Sequence, residues 1–276
     1  MPRTVRAFLW GGLIGLLAAC ASQPAPPSKP VDILSWDRNP NTIIFQLNQA
    51  YEGEDPILAK NRLPACTLFG NNHLVWINYD AKLGEQLLET QIDDGTVISF
   101  LEFLIRDQKF YGLPDYSKQG VPPAVTPPAH LEITSITLFL NNEVHTISNY
   151  RAWPNDTYNA ILTQCGKLST TVAVFKPRGV WVSAVRLPGV TGGVAVPWPE
   201  TAPFSLSSLA DSKQRKWLGA SPTLDRVWDL TRRTEGTVQW LELGKSYLIG
   251  VEVPGLTTSA PGQPTPVPVS TPSPTA

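Results

Sequence analysis

Asp93-Asp94-Gly95-Thr96-Val97-Ile98-Ser99-Phe100-Leu101-Glu102-Phe103-Leu104-Ile105-Arg106-Asp107-Gln108-Lys109 sets seven large apolar residues into the nine positions from Val97 to Ile105. Its polar members Ser99, Glu102, Arg106 and Lys109 recur at spacings of three and four, one line along one face of a helix. The spacing predicts a helix over about 96–109, and so narrow a polar seam predicts cover on most sides, by a sheet and by a second layer. Asp94 is the expected N-cap, and two carboxylates at the start suit the positive end of the helix dipole. Glu102 and Arg106 are placed for an i,i+4 ion pair on the exposed line.

Upstream of this helix, strand signals follow one another. Asn41 to Leu47 reads as a first strand, and 65–69 with 74–78 flank Gly70-Asn71-Asn72, residues that tolerate positive φ, as a hairpin. A further strand is expected over 87–92. Downstream, 111–129 is a Pro/Gly/Ser loop, 131–140 and 143–147 form a hairpin around Asn141-Asn142, and 155–167 reads as a helix. The order β-β-β-β-α-β-β-α predicts a mostly antiparallel sheet with helices on one side.

After Ser169 the pattern restarts, with strands over 172–175 and 180–187 and an irregular Pro/Gly-rich segment over 188–203. Ser221-Pro222 has the form of an N-cap followed by proline at the first helical position, opening a helix to about Arg233. A last hairpin, 237–243 with 246–253, is expected around Gly244-Lys245. From Thr257 the chain is Thr/Ser/Pro-rich without charge or aromatic residue, which predicts a disordered tail. The fold class is therefore α+β: mostly antiparallel sheets with a few packed helices. The expected segments are 1–19 (signal), 20–30 (Pro-rich spacer), 31–168 (an α+β domain), 169–256 (a smaller α+β unit) and 257–276 (tail).

Arg3 and Arg6 precede an uncharged apolar run, Ala7 to Ala19, too short to span a bilayer as a helix and weakened by Gly11, Gly12 and Gly15. It has the form of a signal peptide. At Leu17-Ala18-Ala19-Cys20 it resembles the lipobox of bacterial lipoproteins. That resemblance, confined to the signal segment, implies lipid on the Cys20 thiol and cleavage just before it. Two acyl chains give a stable anchor where one gives only marginal binding. An ordinary secretory signal or an uncleaved anchor are the alternatives, and all three place the body outside the cytoplasm. The partners expected are the membrane, through the anchor, and a protein or glycan.

The full chain carries a net charge of −1 and 42% hydrophobic residues, enough for a core and without the basic field that nucleic acid requires. Its 27 prolines gather at the ends and in loops. With Cys20 taken by lipid, Cys66 and Cys165 remain as a disulfide pair in an oxidising compartment, or as two buried thiols.

No P-loop, dinucleotide-binding glycine pattern, Gly-x-Ser-x-Gly, His-Glu-x-x-His or Cys-x-x-Cys occurs. No cofactor or metal is expected. His73, His130 and His145 read as turn, loop and strand residues rather than bases or ligands. Asp93 and Asp94 are accounted for by helix capping, and Asp225 and Asp229 by a solvent face. The unusual feature is tryptophan: Trp36, Trp76, Trp153, Trp181, Trp198, Trp217, Trp228 and Trp240 follow the signal. Such rings either pack the core or present stacking platforms. Trp228 falls on an apolar helix face, whereas Trp198, within Val196-Pro197-Trp198-Pro199, is the one expected at the surface and the candidate ligand-binding residue. These features point to a non-enzymatic binding or envelope-associated protein. The alternatives are an extracytoplasmic hydrolase-like enzyme without a recognisable motif and a purely structural role.

Overall fold

Alternation of apolar and polar residues gives seven strands one sheet. The computed structural model describes residues 34–80, 84–115, 132–150, 156–190, 192–233 and 237–258. The signal, Cys20, the spacer, His130, Trp153 and residues 259–276 lie outside them. The strands are β1 (Ile43–Tyr51), β2 (Cys66–Phe69), β3 (His73–Asp80), β4 (Gly84–Gln91), β5 (Glu132–Leu140), β6 (Glu143–Tyr150) and β7 (Ala173–Val174). They run in the order β6-β5-β1-β2-β3-β4-β7, and every pairing is antiparallel. Asn141 and Asn142, both at positive φ, make the two-residue turn between β5 and β6, where Leu140 faces Glu143.

Helices α1 (Pro56–Ala59), α2 (Asp94–Glu102), α3 (Thr157–Cys165), α4 (Leu206–Ser212) and α5 (Pro222–Arg233) accompany the sheets. The expected 96–109 helix begins earlier and ends differently. Asp93, not Asp94, is the N-cap, its carboxylate accepting from the Thr96 N–H at 2.8 Å. After Glu102 the chain widens into a π turn over Phe103–Asp107, and Lys109 leaves the helix at φ 51°. The i,i+4 pair of Glu102 and Arg106 is present at 3.3 Å. Cover on most sides is not found. Val97, Phe100, Leu101 and Leu104 are buried, but Ile98 is 39% exposed and Phe103 and Ile105 are half-buried. Seven apolar residues in nine positions spread over more of the helix circumference than the sheet covers.

A second sheet consists of β8 (Gly179–Arg186), β9 (Val194–Pro197), β10 (Lys216–Gly219), β11 (Val238–Glu242) and β12 (Lys245–Glu252), in the order β10-β8-β12-β11-β9. Only β9 with β11 is parallel. Strand β9 occupies part of the segment expected to be irregular, and the last hairpin turns at Leu243-Gly244, both at positive φ, one residue before the expected turn.

Two cores result. In the first, Phe45, Leu47, Leu68, Trp76 and Ile136 of one sheet face meet Phe100, Leu104 and Ile161 of the helical layer. Phe45 and Phe100 stand edge to face at 5.0 Å. In the second, Ile43, Phe69, Val75 and Leu87 of the opposite face meet Val180, Val182, Trp240 and Ile249, with Leu209 of α4 and Val227 of α5. The change of sheet falls close to residue 168, but β7 beyond it still joins the first sheet, and the described residues fall into one compact unit. Leu256 is buried, and the Thr257 hydroxyl accepts from the Val253 N–H at 2.8 Å, so Thr257 belongs to the body and not to the tail.

Candidate binding cleft

Burial sorts the tryptophans. Trp36, Trp76, Trp198, Trp228 and Trp240 are buried, Trp181 is half-buried, and Trp217 is 38% exposed. Trp198, expected at the surface, is 7% exposed: its indole N–H donates to the Phe204 carbonyl at 3.1 Å and its ring meets Trp240 edge to face at 5.4 Å. Pairing of β9 with β11 draws this segment onto the core, with the Trp198 N–H bonded to the Leu241 carbonyl at 2.8 Å.

Trp217 comes to the surface for a local reason. Strand β10 pairs with β8 so that Trp217 faces Trp181 and Leu218 faces Val180. Alternation then sends Leu218, Val180 and Val182 into the second core and both tryptophans outward. The Trp217 ring lies against Gly179, where an added Cβ would run into it. Trp181 meets Trp217 edge to face at 5.3 Å, and the Arg215 guanidinium stands 5.0 Å from the Trp181 ring centre.

Beside Trp217 opens a cleft of about 520 Å³, bordered also by Phe69, His73, Glu89, Lys176 and Arg178. Cross-strand geometry of β3 and β4 brings His73 Nε2 to 2.9 Å from Glu89 Oε2, and the imidazole stacks on Phe69 at 5.5 Å. Lys176 and Arg178 are exposed at the rim. No Ser, Thr, Cys or Tyr is among the described residues that line the cleft. The chemistry assembled is an aromatic platform, a polar dyad and two cations.

A second groove of about 600 Å³ lies where the second sheet leaves the first uncovered, floored by Gln46, Asn48, Thr137 and Thr146. Several of its polar groups pair with one another: Asn48 Nδ2 donates to Gln46 Oε1 at 2.8 Å, Thr137 and Thr146 share a hydrogen bond of 3.0 Å, and Lys60 stands 3.2 Å from Glu252 Oε2, a buried oxygen that has no hydrogen-bond partner.

Cys66 opens β2 and Cys165 closes α3, and they stand at disulfide distance with Cα atoms 6.6 Å apart, both fully buried in the first core. Asp94 does not join Asp93 in capping. It takes a bidentate contact from Arg38 at 2.5 and 2.9 Å and accepts from Asn72 at 2.6 Å. The Arg38 contact first, then Asn72, hold its carboxyl below the usual range, and the Thr96 N–H and hydroxyl do the same for Asp93. Asp225 and Asp229 are exposed, and His145 packs against Phe110 and Tyr111. Among the described residues no group of three or more His, Cys, Asp or Glu side chains is placed to hold a metal ion, and no helix is long and apolar enough to cross a membrane.

Sequence reasoning missed Trp217 because it missed β10, four residues between two helices. The signal was present in Lys216-Trp217-Leu218-Gly219, whose alternation places one large ring out and one apolar residue in. No protein-family model, no curated protein and no solved structure matches this chain.

Proposed function

We propose that this protein is a lipid-anchored extracytoplasmic binding protein that takes a glycan in the cleft beside Trp217. The observation that carries the binding reading is the exposed Trp217 face set on Gly179 next to the His73–Glu89 pair and Arg178. A ring with one open face stacks on the apolar face of a sugar, and the flanking polar groups meet its hydroxyls or carboxylates. The charge–apolar–cysteine order of residues 1–20 supports export and anchoring, and the Cys66–Cys165 pair suits an oxidising compartment.

Tryptophan fluorescence of the mature protein is expected to shift on titration with soluble fragments of the cell-envelope glycan. Trp217→Ala is expected to weaken that binding at least about tenfold, the equivalent of 1.4 kcal/mol, with the melting temperature preserved. Binding unaffected by this change would remove Trp217 from the site. The anchor is tested separately: Cys20→Ser is expected to abolish lipid labelling and free the protein from the membrane fraction.

A second reading, a hydrolase acting on the same ligand, draws on the His73–Glu89 contact alone. Product release from the glycan that disappears in His73→Ala would establish it.

A further inference from the structure

The Trp217 cleft sets two cations against one carboxylate. Among the described residues that border it, Lys176 and Arg178 are the only Lys or Arg, and Glu89 is the only Asp or Glu. His73 already engages that carboxylate, its Nε2 2.9 Å from Glu89 Oε2. The side chains of Lys176 and Arg178 form no ion pair or hydrogen bond with any described residue. Several cations elsewhere are matched: Arg38 with Asp94, Arg62 with Glu54, and both Lys60 and Arg215 with Glu252.

The backbone fixes where the two free cations stand. Lys176-Pro177-Arg178 lies in the link between the two sheets, and the link is tied at each end. At one end the Phe175 N–H donates to the Leu87 carbonyl at 2.8 Å, just past β7, where Ala173 faces Glu89. At the other, Gly179 opens β8, pairs with Gly219 of β10 and carries the Trp217 ring against it. The link therefore runs from the His73–Glu89 pair to the aromatic platform, and Arg178 adjoins the glycine on which the ring lies. Pro177 fixes one φ within it, which reduces the entropy lost when the cations are held on a ligand.

An open indole face takes the apolar face of a sugar whatever charge the sugar carries. The cations add a selection by charge. A guanidinium meets a carboxylate or phosphate with two parallel N–H donors, and an ammonium serves either as a point charge. The cleft supplies no second carboxylate to answer them, so both are available to an anion on the ligand. The full chain carries a net charge of −1, so the surplus is local and not the field of a basic protein. Both side chains are exposed. Solvent screens them, and such rim charges set specificity more than raw affinity.

We propose that the Trp217 cleft selects an acidic glycan, one whose sugar lies on the Trp217 ring and carries a carboxylate or phosphate held by Lys176 and Arg178. Charge selection here rests on the reading of this cleft as a glycan site and names the class of glycan it takes.

The test is fluorescence titration of the mature protein with soluble fragments of the cell-envelope glycan in three forms: native, with carboxylates converted to amides, and with phosphates removed by hydrofluoric acid. Native fragments are expected to bind about tenfold tighter than at least one neutralised form, since two exposed ion pairs contribute about two- to fivefold each. Loss on amidation assigns a carboxylate, and loss on dephosphorylation a phosphate. Added salt is expected to narrow the preference. Lys176→Gln and Arg178→Gln are each expected to reduce it about two- to fivefold. Lys245→Gln, an exposed cation of the last hairpin outside the cleft, is expected to leave it unchanged. A preference unmoved by both cleft variants, or reduced as much by Lys245→Gln, overturns the proposal. Equal binding of all three forms that still weakens in Trp217→Ala overturns the acidic ligand alone. Absence of binding to every form overturns the glycan reading with it.

Discussion

The two cores are built from the same seven-stranded sheet, yet they differ in how far along the chain their partners lie. The first core draws on residues from Trp36 to Cys165, with the Cys66–Cys165 pair at its centre. The second joins Ile43, Phe69, Val75 and Leu87 to residues from Val180 to Leu256. Their helices show the same contrast. Helix α2 is capped by Asp93, three residues before the N–H it binds. Helix α4 has its own Ser205 cap, but the N–H groups of Leu206 and Ser207 go to the Glu242 carboxylate at 3.0 and 2.9 Å, some 35 residues further on. Helix α2 is fastened at its start by a neighbour in sequence, and helix α4 by a remote strand.

That difference accounts for what the sequence revealed. The hairpin at Asn141-Asn142, helices α2 and α5 and the Glu102–Arg106 pair each rest on residues whose local pattern is sufficient, and the Cys66–Cys165 proximity was legible from the cysteine count alone. Strands β9 and β10 and helix α4 were missed because their stability lies elsewhere. Val194–Pro197 is a strand only by pairing with β11, and Leu206–Ser212 is a seven-residue helix fastened by a distant carboxylate. The candidate cleft suffered most. Trp217, His73 and Arg178 come from three segments that only the meeting of the two sheets brings together, and Trp198 was favoured because an irregular loop normally exposes its rings.

The sharpest challenge to the contrast is cooperativity. Phe100→Ala empties a site in the first core and Trp240→Ala one in the second, and truncations of this kind cost about 3–5 kcal/mol. Because both cores share one sheet and the described residues form one compact unit, each variant is expected to lower a single calorimetric transition. A transition that splits in two, with one component unmoved by each variant, would make the cores separate folding units.

A somewhat smaller effect is expected from the Cys66–Cys165 pair, whose members lie 99 residues apart in sequence. A cross-link closing a loop of that length stabilises by about 2–5 kcal/mol. Reduction, or Cys66→Ala with Cys165→Ala, is therefore expected to lower the melting temperature. Mass spectrometry of the unreduced protein is expected to find the two peptides linked, and free thiols at both positions would remove the bridge.

Glu242 tests the remote fastening in the second region. Glu242→Ala leaves the Leu206 and Ser207 N–H groups without their carboxylate, at about 1 kcal/mol for a lost cap. Hydrogen exchange at these amides is expected to accelerate with that of the β9–β11 pairing, while exchange along α2 stays unchanged. Equal acceleration in both regions would mean that the α4 fastening supports the whole molecule.

The smallest effect belongs to the carboxylates at the start of α2. Thr96 holds Asp93 ionised, Arg38 and Asn72 hold Asp94, and the Thr42 hydroxyl and Asn39 N–H hold Asp37, each below the ordinary aspartate value of 3.8. A group whose folded pKa is depressed contributes stability that is fully present above its unfolded pKa. That contribution is lost as pH falls through the folded pKa. The window therefore opens just below pH 4 and extends to lower pH. All three groups are solvent-exposed and screened, so the contribution is small and shrinks further with added salt. Asp93→Asn keeps a side-chain acceptor for the Thr96 N–H but removes the proton that would be taken up, and Asp94→Asn does the same opposite Arg38. The double variant is expected to melt slightly lower than the parent at neutral pH, and the two curves are expected to converge as pH falls below 4. Because Asp37, Asp93 and Asp94 all belong to the first region, the amides at the start of α2 are expected to exchange faster first on acidification, ahead of those in β11 and β12. If the second region opens first, acid sensitivity resides in groups other than these three, and the first region is the more acid-resistant of the two.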